Sequence, residues 1–253
     1  MDLGLRDKNV LITGSTAGIG RRIANLFAAE GANVAICSRT EESVKQAVKE
    51  VSLMAEGRIV GAACNIKEKE DYEKWVADMA EELGGVDVFI PNVSAGGGND
   101  SERNWWKNFE VDVLGTVRGV EAVLPLMEET GGAITMIGTT AAVETFMEPQ
   151  PYNAMKASLI TYAKQLSQAH GDTGVRVNVV SPGPIYFDGG AWDMIKISNE
   201  KFYGITEKTH ALGRLGTPEE VANCVVFLSS QAASWVTGVN LVVDGGYTKR
   251  VQL

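Results

Sequence analysis

Seven short apolar runs alternate with stretches of helical spacing along this chain of 253 residues, and that rhythm constrains the fold more than any single motif. The runs lie at 10–12, 34–37, 59–63, 86–90, 133–137, 175–180 and 240–243. After the first run, Ile19, Ile23, Leu26 and Phe27 recur at helical spacing. Further helices are expected at 41–55, 68–83, 102–129, 151–171 and 218–229. Strands that alternate with helices form a parallel sheet covered on both faces, and near-continuous apolar strands fit that burial. The length allows one large domain or two small ones. The unbroken alternation favours one, over residues 1–253. Only 186–211 breaks the rhythm, a mixed aromatic and polar stretch long enough to be a lid or small helices over a site.

Charge and cysteine usage narrow the function classes. A formal net charge of -9 argues against nucleic acid as a partner, because its binders present a basic face. Cys37, Cys64 and Cys224 are widely spaced and lie in or near apolar runs, as expected of buried thiols in a reducing compartment. His170 and His210, the two histidines, share no metal-ligand spacing with them, so no metal site is expected. Residues 1–8 lack the apolar core of a signal peptide, and no apolar run approaches the roughly 18 residues of a membrane span. A cytoplasmic protein without membrane contact is expected.

Two local patterns carry chemistry. Thr13-Gly14-Ser15-Thr16-Ala17-Gly18-Ile19-Gly20 lies where the first strand hands over to the first helix. Glycines there allow backbone N–H groups to approach a pyrophosphate at the positive end of the helix; the alternative is a glycine-rich connector with no ligand. Tyr152 and Lys156, four residues apart on a helix, share one face. An ammonium beside a phenol favours the phenolate, each pKa unit being worth about 1.4 kcal/mol. Tyr152 is therefore expected to be a base usable near neutral pH; the bland reading is a surface aromatic beside a surface cation.

The glycine turn with Tyr152-x-x-x-Lys156 downstream resembles the short-chain dehydrogenase/reductase family. The likeness runs the whole length, through Pro182-Gly183, the segment Gly213-Arg214-Leu215-Gly216-Thr217-Pro218-Glu219-Glu220, and Asp244-Gly245-Gly246. It implies a single Rossmann-type, doubly wound α/β domain with a seven-stranded parallel sheet. The implied reaction is hydride transfer between a nicotinamide nucleotide and a carbonyl or secondary alcohol. Tyr152 would be the general acid/base, Lys156 would lower its pKa and hold the nicotinamide ribose, and Thr139, at the family's serine position, would orient the substrate oxygen, with Thr140 a neighbouring candidate.

The resemblance also implies a nucleotide path. It runs over Gly14, Ser15, Thr16, Gly18, Ile19 and Gly20, past Ser38 and Arg39, then Asn65 and Ile66. From there it passes Asn92, Val93 and Ser94, and ends at Tyr152, Lys156, Pro182, Gly183 and Ile185. After the second strand, Ser38-Arg39 presents a guanidinium and no carboxylate, which suits a 2′-phosphate. NADP is expected, with NAD the second choice.

Several positions depart from the family pattern. Asp112 stands where an Asn is usual, and its charge would offset part of the Lys156 field on the phenol. Pro91-Asn92-Val93-Ser94 replaces Asn-Asn-Ala-Gly, Asn65-Ile66 replaces Asp-Val, and Phe187 replaces a threonine. Candidate substrate walls are 96–105, 143–150 and the lid aromatics Tyr186, Phe187, Trp192, Met194, Phe202 and Tyr203. They suggest an apolar or aromatic small-molecule carbonyl or alcohol substrate, or else they anchor the lid. The family resemblance further implies a homotetramer. Rival readings are a nucleotide-binding regulatory protein without turnover, and lyase or epimerase chemistry on the same fold.

Overall fold

The computed structural model describes residues 2–146 and 148–251. Its seven strands are β1 (Asn9–Ile12), β2 (Asn33–Ser38), β3 (Ile59–Ala63), β4 (Val88–Ile90), β5 (Gly132–Ile137), β6 (Val175–Pro182) and β7 (Asn240–Val243). They form one sheet in the order β3-β2-β1-β4-β5-β6-β7, every pair parallel. The order reverses between β1 and β4, whose register pairs Ile12 with Ile90. Beyond the carboxyl ends of such a pair the chain leaves a crevice, because the connections depart in opposite directions.

Alternation along the strands explains the two helical layers. Leu11, Ala35, Phe89 and Ile134 point to one face, where α3 (Lys69–Leu83), α5 (Gly115–Met127) and α6 (Pro151–Ala169) bury Tyr72, Val120 and Leu159. Val10, Ile12, Ile36 and Ile90 point to the other. There α1 (Gly18–Ala29), α2 (Glu41–Ser52) and α9 (Pro218–Ser229) bury Phe27, Val51 and Val225. This is the doubly wound arrangement that the strand-helix rhythm predicts.

The helix expected across 102–129 is not uniform. It begins as α4 (Glu102–Asn108), widens into a π-helical turn at Phe109–Leu114, and resumes as α5. Within it, Thr116 Oγ1 donates to the Asp112 carbonyl at 2.8 Å, which supplies a second donor to that oxygen. A π-turn inserts one extra residue and rotates the side chains that follow, so a periodicity argument over six residues does not register it. Asp112, inside the turn, is fully buried. Residues 186–211 hold two short helices, α7 (Ala191–Ser198) and α8 (Glu200–Thr209), the second capped by Asn199 Oδ1 accepting from Phe202 N at 3.1 Å.

Gly119 shows how closely α5 sits on the sheet. A Cβ there would fall 2.7 Å from Phe89 Cζ and closer still to Tyr72 Oη, both fully buried. Gly119→Ala is expected to lower stability by about 1–3 kcal/mol through overpacking. Urea denaturation would measure this, and Tyr72→Phe in the same chain should recover part of the loss.

Candidate active site

The crevice at the β1/β4 crossing is closed at its base by a set of hydrogen bonds. Thr13 N donates to Ile90 O at 3.1 Å, and Asn92 Nδ2 donates to the carbonyls of Thr13 and Gly14 at 3.1 and 3.0 Å. Gly14 and Gly18 take φ of +63° and +55°, which favours glycine. Gly20 has no room for a side chain, because a Cβ would strike Gly14 O and Asn92 Nδ2. Ala17 caps α1 without a side-chain acceptor, and the first turn carries no acidic residue. The N–H groups there are left for an anionic ligand, so the turn fits the pyrophosphate of a dinucleotide.

Above the turn lies a cleft of about 930 Å³. Of the nucleotide path, Ile19, Asn92, Ser94, Pro182, Gly183 and Ile185 line it, together with Thr139, Tyr152 and Lys156. Gly14, Thr16, Gly18, Gly20, Ser38, Arg39 and Asn65 lie outside that lining, along the turn and the ends of β2 and β3. Three expected contacts have side chains committed elsewhere. Ser15 is buried, its Oγ donating to Ile12 O at 2.7 Å and accepting from Cys37 N at 3.1 Å, so it braces β1 against β2. Ile66 packs in the core, where a Cβ on Gly115 would meet it. Val93 lies against Gly14 and the same core. At these positions only the main chain is left to serve a ligand.

The phenol and ammonium are brought together on one face of α6, but their electrostatics differ from the expectation. Lys156, 2% exposed, donates to Ile137 O at 3.0 Å and forms an ion pair of 3.1 Å with Asp112 Oδ1. Asp112 is fully buried, and its Oδ2 accepts from Ala95 N at 3.1 Å. The cation is thus largely neutralised by a carboxylate. Tyr152 is pushed up to about 12 rather than down: burial is the main cause, the Asp112 charge adds to it, and a hydrogen bond to Thr139 works against it. Thr139 is therefore the threonine in contact with the phenol, and its Oγ1 also accepts from Ala141 N at 3.3 Å.

The upper walls also sort themselves. Phe187 and Trp192 face the cleft, joined by Ile195. Met194 is 59% exposed and points away. Phe202 stacks on Trp192 with ring centres 5.9 Å apart, and Tyr186 meets Tyr203 edge-on at 6.2 Å, so these three pack residues 186–211 on one another. The Phe187 ring lies against Gly18 and Gly190, where added Cβ atoms would come within 2.8 Å of it. Tyr247, near the chain end, is a further wall residue. It lines the cleft against Phe146, ring centres 6.2 Å apart, and no local pattern announces it. A second concavity, of about 690 Å³, lies near Lys8, Asp87 and Arg176, remote from the turn.

A doubly wound sheet with a glycine turn at its crossing point and a tyrosine-lysine pair above it defines a dinucleotide-binding oxidoreductase. A family model described as enoyl-(acyl carrier protein) reductase matches residues 14–248. Isoepoxydon dehydrogenase of Penicillium expansum is 37% identical over 248 residues, covering 96% of this chain and 95% of that protein. Dehydrogenase/reductase SDR family member 4 of Sus scrofa is 35% identical over 256 residues, 98% and 89% of the two chains. Among solved structures, L-sorbose reductase from Gluconobacter frateurii complexed with NADPH and L-sorbose superposes with a TM-score of 0.91 at 28% identity, over 99% of this chain and 100% of that one. A 7α-hydroxysteroid dehydrogenase complexed with NADH and 7-oxo glycochenodeoxycholic acid gives 0.90 at 29%, over 97% and 96%. The chain belongs to the short-chain dehydrogenase/reductase family and is an NAD(P)-dependent oxidoreductase.

A phenol raised to about 12 is protonated at neutral pH. Its proton-donating rate should be flat there, whereas its proton-accepting rate should climb about tenfold per pH unit. Asp112→Asn removes the charge that offsets Lys156, while its side-chain oxygen can still accept from Ala95 N. The rising limb of alcohol oxidation is then expected to move to lower pH by on the order of one unit. A pH profile of kcat/KM for oxidation in both proteins checks this.

Proposed function

We propose that Tyr152 is the general acid/base of hydride transfer between a nicotinamide nucleotide and a carbonyl or secondary alcohol. Its placement beside Lys156 on the floor of the cleft, at the crossing-point end of the sheet, carries the reading. When bound, the nucleotide supplies or accepts hydride at nicotinamide C4. In reduction Tyr152 Oη would give its proton to the substrate oxygen, and in oxidation it would take that proton back. Thr139 holds the substrate oxygen beside the phenol. Lys156, kept in place by Ile137 O and Asp112, would hold the nicotinamide ribose.

The glycine turn would hold the pyrophosphate, and Pro182, Gly183 and Ile185, which line the cleft, would hold the nicotinamide end. Residues 186–211 act as a lid on a single dinucleotide-binding and catalytic domain. Its Trp192, with Phe146 and Tyr247, supports an apolar or aromatic small-molecule substrate. The relatives in complex with NADPH and with NADH support either nucleotide. NADP is favoured by Arg39, which is exposed beyond β2 with no ion pair among the described residues.

A homotetramer is supported by exposed apolar groups on the α4–α5 segment, Trp105, Trp106 and Leu126. Three free cysteines fit the cytoplasm. Among the described residues no helix is long and apolar enough to cross a membrane.

Tyr152→Phe is expected to lower reduction by at least a thousandfold, followed at the reduced-nicotinamide absorbance band, with NADPH affinity by calorimetry kept within about threefold. Turnover retained by Tyr152→Phe would refute the assignment. Arg39→Ala should weaken NADPH binding about tenfold or more and leave NADH nearly unchanged, since a charge-assisted contact to the 2′-phosphate is worth roughly 1.5–3 kcal/mol. Equal losses for both nucleotides would count against the NADP preference.

A further inference from the structure

Tyr247 lies in a segment, 244–250, that follows β7 and is anchored on two sides. Asp244 folds it into a turn: its Oδ1 accepts from Gly246 N at 2.9 Å, and its Oδ2 accepts from Thr248 N and Thr248 Oγ1, both at 2.8 Å. Gly246 takes a φ of +75°, and a Cβ there would fall 2.6 Å from Ala211 Cβ, so the turn sits directly on the stretch after α8. Leu212 N donates to Gly245 O at 3.1 Å. Lys249 Nζ donates to Thr209 O at 3.3 Å, at the carboxyl end of α8, where carbonyls lack helical partners.

The second anchor is a single side chain. Glu144 follows the short helical turn at Thr140–Ala142, and its own N–H donates to Thr140 O at 3.0 Å, next to Thr139. Its Oε2 accepts from two successive main-chain groups of the segment, Lys249 N at 2.9 Å and Arg250 N at 3.3 Å. Arg250 Nη1 donates to Val143 O at 3.1 Å beside it. Main-chain N–H groups outside a helix or strand need an acceptor, and here one carboxylate oxygen serves both. The Tyr247 ring meets Phe146 and His210 with centres 6.2 and 4.7 Å apart, and Phe146 meets Trp192 at 6.3 Å. Tyr247, Phe146 and Trp192 line the cleft, whereas Glu144 is not part of its lining.

We infer that Glu144 is a positioning residue for substrate selection: it latches the 244–250 segment to the loop after β5 and so fixes the Tyr247 ring in the cleft, where that ring limits the bulk of the carbonyl compound admitted. This rests on the hydride-transfer reading above. Without the carboxylate the segment keeps its Asp244 turn and its hold on α8. On the β5 side only Arg250 and the Phe146 ring then restrain Tyr247. The ring leaves more room when it is free to move, so a small substrate loses an aromatic contact and a bulky one gains space.

Two measurements test this. Amide hydrogen exchange at Lys249 and Arg250 is expected to quicken about fivefold or more in Glu144→Ala, and by less in Glu144→Gln, whose side-chain oxygen still accepts. Initial rates with NADPH compare cyclohexanone with 4-phenylcyclohexanone. Tyr247→Ala should raise the kcat/KM ratio of the bulky to the small ketone about tenfold. Glu144→Ala should raise it about threefold or more, through KM, with kcat for cyclohexanone kept within about twofold. Glu144→Ala added to Tyr247→Ala should move the ratio no further, because the carboxylate acts through that ring. A general loss of structure would lower both rates together and leave the ratio in place. Unchanged exchange in Glu144→Ala, a ratio unmoved by it, or an effect that adds to that of Tyr247→Ala would overturn the inference. If neither ketone is reduced faster than by Tyr152→Phe, the hydride-transfer reading falls, and exchange at Lys249 and Arg250 still decides whether Glu144 is the latch.

Discussion

The buried ion pair between Asp112 and Lys156 is the interaction on which the site depends. Two opposite charges with almost no solvent exposure must satisfy one another, because an unpaired charge in such surroundings costs several kcal/mol. The pair joins four segments. Asp112 comes from the π-helical turn and accepts from Ala95 in the loop after β4; Lys156 comes from α6 and donates to Ile137 at the end of β5. The loop, two helices and a strand end are thereby fixed around one point beneath the phenol. The electrostatic result is a phenol that holds its proton. Desolvation dominates, and the Asp112 charge adds to it.

Much of the architecture was legible because it follows from short-range physics. Alternation within β1 sends Leu11 to one layer and Ile12 to the other, and the same parity holds for Phe89 and Ile90. The glycine turn could be read because only glycine takes the φ of Gly14 and Gly18 cheaply, and the Tyr152-Lys156 spacing because a helix makes residues four apart neighbours. What could not be read depends on partners distant in sequence. Ser15 turns inward because Cys37 on the adjacent strand offers its N–H, and Tyr247 reaches the cleft only because β7 ends beside β6. The direction of the Tyr152 shift required knowing how far the fold desolvates the phenol itself, with the Asp112 charge adding to it, which spacing does not disclose.

The π-helical turn explains why one substitution carries such weight. In a regular helix Asp112 would project from a different angle. Asp112 lies within the turn and pairs with Lys156, while the Thr116 hydroxyl donates to its carbonyl. Irregular helical geometry is uncommon and concentrates where a side chain must be aimed.

The Phe187 ring rests in a notch made by two glycines, Gly18 on the nucleotide turn and Gly190 just before α7. A larger residue at either glycine would lever the ring outward, and α7 follows directly in the chain. The glycine turn and the start of α7 are therefore coupled mechanically through a single aromatic wedge. A change of packing at the start of α7 is thus transmitted to the glycine turn after β1 as well.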